Sequence, residues 1–301
     1  FIFSWGGFVL KDVQPKIINS RQEMLEFAHT SKGRMRLSID ENVIDFNWVP
    51  NKSDNLIVFF NAAISRTKDT VLPVFSGNGA IGKVDANILM VSDPSLMLSD
   101  DLTVAWYTGD QNFNLQQVLG EILKEFSDQF GKNRTVLYGG SAGGFASIYY
   151  SSHIPNSYAV AANPQTNISK YYKRFVKKYF DVCFPSYSKD GKELSDTHVE
   201  YDMCDLFSRS ESKLVYLQNM DDAFHIENHF APFLESQGHK YIEYDKTTVD
   251  NLNDRLTVVY GHGWGEGHHP PPKHLVFELL NLLCKGGDPT SVEFKERIEM
   301  L

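Results

Sequence analysis

The chain has 301 residues, of which 42% are hydrophobic and 22% charged. These are the proportions of a folded globular protein, at a length an α/β chain can organise around one core. Acidic residues outnumber basic ones by 38 to 29, a net charge of −9, which argues against a nucleic-acid binder that relies on broad phosphate contact. No apolar run approaches the roughly 18 residues of a membrane-spanning helix.

Phe1–Leu10 is apolar but short, with no basic residues before it and no small-residue cleavage site after it; it is expected to be a strand or a packed terminus. Ser20-Arg-Gln-Glu23 has the form of a capping box, followed by Met24, Leu25 and Phe27 on a short helix. Arg34–Ile39 and Val43–Trp48 alternate as strands around a turn at Asp40-Glu41-Asn42. Leu56–Phe60 is a continuous apolar run, the pattern of a strand buried on both faces of a parallel sheet. Ile88–Val91, Thr103–Tyr107, Thr135–Tyr138, Tyr158–Ala162, Leu214–Gln218 and Leu256–Tyr260 repeat that character. Val118, Leu119, Ile122, Leu123, Phe126 and Phe130 recur at helical spacing, and further helices are expected over 223–236 and 273–283.

Strands alternating with helices predict a single α/β domain over residues 1–301 with a mostly parallel, doubly wound sheet, the two early antiparallel strands at one edge. Residues 164–212 lack that rhythm and lie between two core strands. They read as an inserted cap over one end of the sheet, where such folds bind ligands. Cys183, Cys204 and Cys284 are too few and too scattered for a disulfide framework or a zinc site, and point to a reducing compartment, the cytoplasm. The sequons at Asn51, Asn133 and Asn167 do not by themselves establish glycosylation.

The segment Thr135-Val-Leu-Tyr-Gly-Gly-Ser141-Ala-Gly-Gly contains Gly-x-Ser-x-Gly directly after a strand and before a helical pattern. That is the context of a nucleophile elbow, in which a strained turn raises the Ser141 hydroxyl above the sheet. A serine nucleophile needs a base, and the base needs an orienting carboxylate; at such an elbow they follow in the order Ser, Asp or Glu, His. Asp221 and Asp222 directly follow the strand at 214–218, with Asp221 preferred and Asp222 as the helix-capping alternative. The loop after Leu256–Tyr260 carries His262, His268 and His269 in a glycine-rich setting; His268 is the preferred base and the other two are alternatives. His225, His229 and His274 read as residues of helix faces. The amide of Ala142, together with that of Asn61 or Ala62 after an early strand, would hold the oxyanion.

Two further patterns compete for attention. Gly77-Asn-Gly79-Ala-Ile-Gly82 matches the dinucleotide fingerprint, but no helix fits before the strand near Asn87, so it reads as a loop. A metal site is not expected either: His268 and His269 are adjacent, and no cysteine is near. The segment 168–180 interleaves Lys173, Arg174 and Lys177 with aromatic residues inside the expected cap. It is a solvated helix face or a docking surface for an anionic substrate or acyl carrier.

With Ser141, Asp221 and His268 in order, the chain resembles the α/β-hydrolase superfamily over roughly residues 34–284. The Asp-Asp-x-x-His run at 221–225 resembles the acid loop of prolyl-oligopeptidase-type members, which implies Asp221 as the triad acid. Ser92-Asp93-Pro94, Ala105-Trp106-Tyr107-x-Gly109 and Asn163-Pro164-Gln165 resemble hydrolase-like proteins of bacterial capsular-polysaccharide biosynthesis and of glycan O-acetylation. That likeness implies a serine-dependent esterase or O-acetyltransferase acting on a carbohydrate, with no resident cofactor and acetyl-CoA as donor if it transfers. It would work alone or beside a biosynthetic-complex partner. The competing expectation is a catalytically silent scaffold of the same fold. A strand-like stretch at 240–244 before the last core strand departs from the family pattern.

Overall fold

A computed structural model describes residues 14–301; Phe1–Leu10 lies outside the described residues. Strand β1 (Lys16–Ile18) leads into helix α1 (Arg21–Thr30). Ser20 caps α1 by accepting the Glu23 amide at 3.1 Å, while the Glu23 carboxylate accepts the amide of Asn19 at 2.9 Å, one residue before the position a strict capping box would use. β2 (Gly33–Ile39) and β3 (Asn42–Val49) form an antiparallel pair, and β4 (Asn55–Phe60) and β5 (Asn87–Val91) follow. Helix α2 (Leu115–Phe130) precedes β6 (Arg134–Gly140), then come α3 (Ala142–Ser151) and β7 (Tyr158–Ala162).

Between β7 and β8 (Lys213–Asn219) the chain turns helical, with α4 (Lys173–Cys183), α5 (Pro185–Lys189) and α6 (Met203–Ser208). After β8, α7 (Ala223–His225) and α8 (Ala231–Ser236) flank a π-helical turn at Ile226–Phe230. β9 (Thr248–Asn251), β10 (Leu256–Gly261), α9 (Lys273–Cys284) and α10 (Val292–Glu299) complete the described chain.

Among the described residues the strands form one ten-stranded sheet in the order β1-β2-β3-β5-β4-β6-β7-β8-β10-β9. β5, β4, β6, β7, β8 and β10 run parallel, with β3 and β9 reversed beside them. The central strands are apolar on both faces because helices cover both. One face packs Leu56, Val58, Leu137 and Tyr216 towards α2 and α3; the other packs Ile57, Phe59, Val136 and Val259 towards α9 and α10. This is the α/β-hydrolase fold. Among the described residues no helix is long and apolar enough to cross a membrane.

Two strand expectations fail. Thr103–Tyr107 is irregular: Trp106 and Tyr107 both take positive φ, 54° and 59°, which no strand allows. Its backbone groups pair instead with Ile64, with the Asp93 carboxylate and with the Tyr150 hydroxyl. Residues 240–244 are also irregular, and the antiparallel neighbour of β10 is formed later, by β9. The 77–82 glycine run is a 3-10 turn and loop, as its spacing requires.

On α2 the buried stripe Leu119, Ile122, Leu123 and Phe126 faces the sheet, and Phe126 meets the Trp48 ring edge-on at 5.4 Å. Phe126→Ala is expected to cost about 3–5 kcal/mol, since the site cannot collapse against a rigid sheet. Urea denaturation followed by circular dichroism measures it, and a loss below about 1 kcal/mol would contradict this packing.

Candidate active site

The carboxyl ends of β4, β6, β7, β8 and β10 converge on one side of the sheet, and the polar residues of interest sit just beyond them. Ser141 lies between β6 and α3 at φ 56° and ψ −119°. The turn is possible because its flanks are bare. A Cβ on Gly139 would come within 2.2 Å of the Gly143 backbone, and one on Gly143 within 2.8 Å of the Phe60 and Asn61 carbonyl oxygens. The Ser141 amide donates to the Ala162 carbonyl at 2.9 Å, and the Ser141 carbonyl accepts from Gly144 and Phe145 at the start of α3.

The Ser141 hydroxyl oxygen accepts a hydrogen bond from Nε2 of Gln165 at 2.6 Å. The orientation of the Gln165 amide follows from its other neighbour. The Trp106 indole can only donate, and it faces Gln165 Oε1 at 3.2 Å. The amide nitrogen therefore faces both Ser141 and Nε2 of His225, the latter at 3.1 Å. An amide N–H can only donate, so His225 Nε2 accepts and its proton sits on Nδ1. That Nδ1–H donates to Asp222, 3.0 Å from Oδ1 and 2.9 Å from Oδ2. Oδ2 of Asp222 also accepts from His268 Nδ1 at 2.5 Å, which leaves the lone pair of His268 on Nε2. The two imidazoles stack, with centroids 3.8 Å apart and planes 12° from parallel. One buried network thus runs from Ser141 through Gln165, His225 and Asp222 to His268.

The carboxylate that holds His268 is Asp222, not Asp221. Asp222 is buried and turned inward, where it also accepts the His225 amide at 3.3 Å; capping and imidazole binding are done by one side chain. Asp221 points to solvent, and its side chain makes no hydrogen bond to the described residues. Of the expected oxyanion donors, the Asn61 amide is engaged by the Tyr107 hydroxyl at 2.6 Å, because the irregular 103–107 segment brings that ring under β4. Ala62 and Ala142 line a small recess with Trp106 and Asp93, and their amides donate no hydrogen bond to the described residues. His225 does lie on a helical turn, α7, but faces inward as a member of the network. His229 is buried beside it, accepting the Thr166 amide at Nδ1, and His274 meets the Leu301 carbonyl at the surface.

The glycine-rich loop carrying His268 is held by two asparagines. Asn163, itself at φ 42°, donates to the His269 carbonyl at 2.7 Å and accepts the Asn219 amide at 2.6 Å. Asn219 Nδ2 donates to the carbonyls of Gly265 and Gly267, each at 2.8 Å. His262 lies at the start of this loop, with its amide on Thr247. On α4, Lys177 pairs with Asp181 and Lys178 with Asp101, while Arg174 lies over the Phe175 ring; Lys173 and Arg174 are exposed. The part of the helical segment between β7 and β8 that reaches the network is aromatic. Tyr171 is 5.9 Å from Trp106 and 6.1 Å from His225 between ring centroids, and the exposed Tyr172 stacks on Phe224 at 3.9 Å.

Electrostatics follow from burial. Removal from water pushes the His268 imidazole down to about 4, although its bond to Asp222 pulls the other way. Burial also disfavours the Asp222 charge, but the hydrogen bonds from His225 and His268 outweigh it and hold that carboxyl well below the usual range. Asp93, buried under the amides of Tyr107 and Ser95, is pushed up to about 6 by desolvation. Donor atoms of Asp222, His225 and His268 lie within 4.8 Å of one another, so these side chains are also of the type and spacing that can hold a metal ion.

No family model and no curated protein matches the chain in sequence. In structure it is similar to the capsule O-acetyltransferase of Neisseria meningitidis serogroup A, at 14% identity and a TM-score of 0.50, over 75% of this chain and 86% of that one. It is also similar to Pyrococcus horikoshii acylaminoacyl peptidase, at 11% identity and a TM-score of 0.56; this matches 91% of the chain and spans 45% of the peptidase. At these identities the likeness is one of fold.

The depressed His268 value sets a pH dependence. The unfolded chain takes up this proton near 6.5 and the folded chain near 4. Between those values the unfolded state binds more protons, so stability falls as pH falls through that window. Chemical denaturation at pH 7, 6 and 5 is expected to show the decline, with a shallower slope in His268→Gln; an unchanged slope would contradict the buried, neutral imidazole.

Proposed function

We propose that the protein is a serine-dependent acyl-ester enzyme, an esterase or O-acetyltransferase whose acceptor or substrate is a carbohydrate. The observation that carries the reading is the hydrogen-bonded network joining the hydroxyl at a strained elbow to a buried carboxylate with an imidazole on it. Ser141 Oγ attacks the acyl carbonyl and its proton passes to His268 Nε2. Asp222 fixes the imidazole tautomer and stabilises the imidazolium that forms. The amides of Ala62 and Ala142 receive the oxyanion, and the leaving group departs with the proton from His268. The acyl-enzyme then passes its acyl group to water or to a sugar hydroxyl. The fold shared with a capsule O-acetyltransferase supports the carbohydrate reading. So does the exposed Tyr172 face, since the apolar face of a sugar ring packs on an aromatic one. Lys173 and Arg174 stand free of carboxylate partners among the described residues and would meet an anionic donor such as acetyl-CoA, or a partner in a biosynthetic complex.

The first test is intact mass after a fluorophosphonate probe. Wild type is expected to gain a single adduct and Ser141→Ala none. Asp222→Asn should slow labelling by roughly 10³–10⁴-fold, the scale of a misoriented catalytic histidine, while Asp221→Asn stays near wild type. No adduct on folded wild type would favour a silent scaffold. With acetyl donor and glycan present, acetylated sugar in excess over free acetate identifies transfer.

The cluster of Asp222, His225 and His268 supports a second reading, a metal-dependent hydrolase. Chelation separates the two: under the serine reading labelling survives it, whereas stoichiometric bound zinc and loss of turnover on chelation would favour the metal.

A further inference from the structure

Gln165 and His225 do not belong to a Ser-His-Asp triad, yet both are almost fully buried and both are in the network. The Gln165 amide has four hydrogen-bonding sites, and three are matched: Trp106 on Oε1, and Ser141 Oγ and His225 Nε2 on the two N–H groups. Two of these neighbours have fixed polarity, the indole N–H as donor and the His225 Nε2 lone pair as acceptor. A glutamine so placed cannot flip without setting its oxygen against the His225 Nε2 lone pair and its N–H groups against the indole donor, although the serine hydroxyl could adapt to either face. His225 is fixed in turn by its Nδ1–H on Asp222 and its ring against His268.

We propose that Gln165 and His225 are a positioning pair that orients the Ser141 hydroxyl and then stabilises Oγ as the leaving group when the acyl-enzyme breaks down. This rests on Ser141 being the nucleophile. At rest the Gln165 N–H occupies one lone pair of Oγ, so the serine proton is turned away from Gln165. In the second half-reaction the acceptor oxygen attacks the acyl carbon and gives its proton to His268. The bond from acyl carbon to Oγ breaks, Oγ takes the electron pair, and the proton on His268 passes to Oγ. The Gln165 N–H stays on nitrogen throughout and donates to Oγ as negative charge gathers there. His225 exchanges no proton; its Nε2 lone pair holds the amide in place. The pair therefore matters more to deacylation, where Oγ departs, than to acylation.

Stopped-flow kinetics with p-nitrophenyl acetate resolve a burst of acylation from the slower steady state. Gln165→Met, close in shape but without polar atoms, is expected to keep the burst within about 10-fold of wild type and to slow deacylation by about 100-fold, the scale of one lost oxyanion donor. His225→Phe, which keeps a ring against His268, should slow deacylation less, by about 10-fold, because the glutamine is loosened rather than lost. Gln165→Glu supplies a donor only when its carboxyl is protonated. Its deacylation rate relative to wild type should therefore rise as pH falls from 8 to 5.5, a response that a purely structural residue would not produce. Wild-type deacylation in folded Gln165→Met, or a pH-independent ratio for Gln165→Glu, would overturn the proposal. If wild type shows no burst and no fluorophosphonate adduct, the serine nucleophile itself fails; an adduct with no effect at Gln165 removes only the positioning pair.

Discussion

One buried carboxylate with two imidazoles on it organises this end of the molecule. Asp222 could not remain charged inside the protein alone, because desolvation opposes it. Two Nδ1–H donors on stacked rings make the charge tenable, and in return both rings are fixed in tautomer and tilt. Everything else at the site is arranged around that exchange. β8 delivers the aspartate, the helical turn after it delivers the first histidine one turn on, and the loop after β10 delivers the second.

The short segments 92–94, 105–109 and 163–165 are far apart in the chain but meet here. Asp93 accepts the Tyr107 amide, the Tyr107 hydroxyl reaches the Val91 carbonyl and the Asn61 amide, and the Trp106 indole holds Gln165. Trp106 and Tyr107 pay for this with consecutive left-handed backbones, a cost of order 1–2 kcal/mol each for residues with a Cβ. The gain is that adjacent positions place two large rings in different surroundings, Tyr107 against Phe60 of β4 and Trp106 against Gln165, Tyr171 and Tyr179. Positive φ at these residues, as at Ser141 itself, falls at the candidate site.

The sheet was legible where the chain is simplest. Apolar runs at 56–60, 135–138 and 256–260 mark strands covered on both faces, and the stripe on α2 marks a helix with one buried side. Thr103–Tyr107 misled because it is as apolar as a strand, while its conformation is dictated by a carboxylate and a hydroxyl distant in sequence. The elbow was legible because glycine spacing is a backbone requirement. The choice between Asp221 and Asp222 was not, because adjacent residues differ only in which way the turn points them. Gln165 and His225 were hidden for a related reason. A glutamine carries no chemical signature of its own, and a histidine on a helical turn reveals its role only when the carboxylate three residues earlier is known to face inward.

The tethers of the histidine loop bear on how this chain can vary. Asn163 and Asn219 grip the loop through the carbonyls of Gly265, Gly267 and His269, and glycines at 263, 265 and 267 supply the left-handed turns. Apart from His268, what the two asparagines read in this loop is a backbone path. Positions such as Glu266 can therefore drift so long as the path is kept, and the path can be rebuilt by other turns so long as carbonyls arrive where the two asparagines wait. Divergence is cheapest in the segment that presents the histidine, which leaves a lineage free to change its sequence there while its geometry stands still.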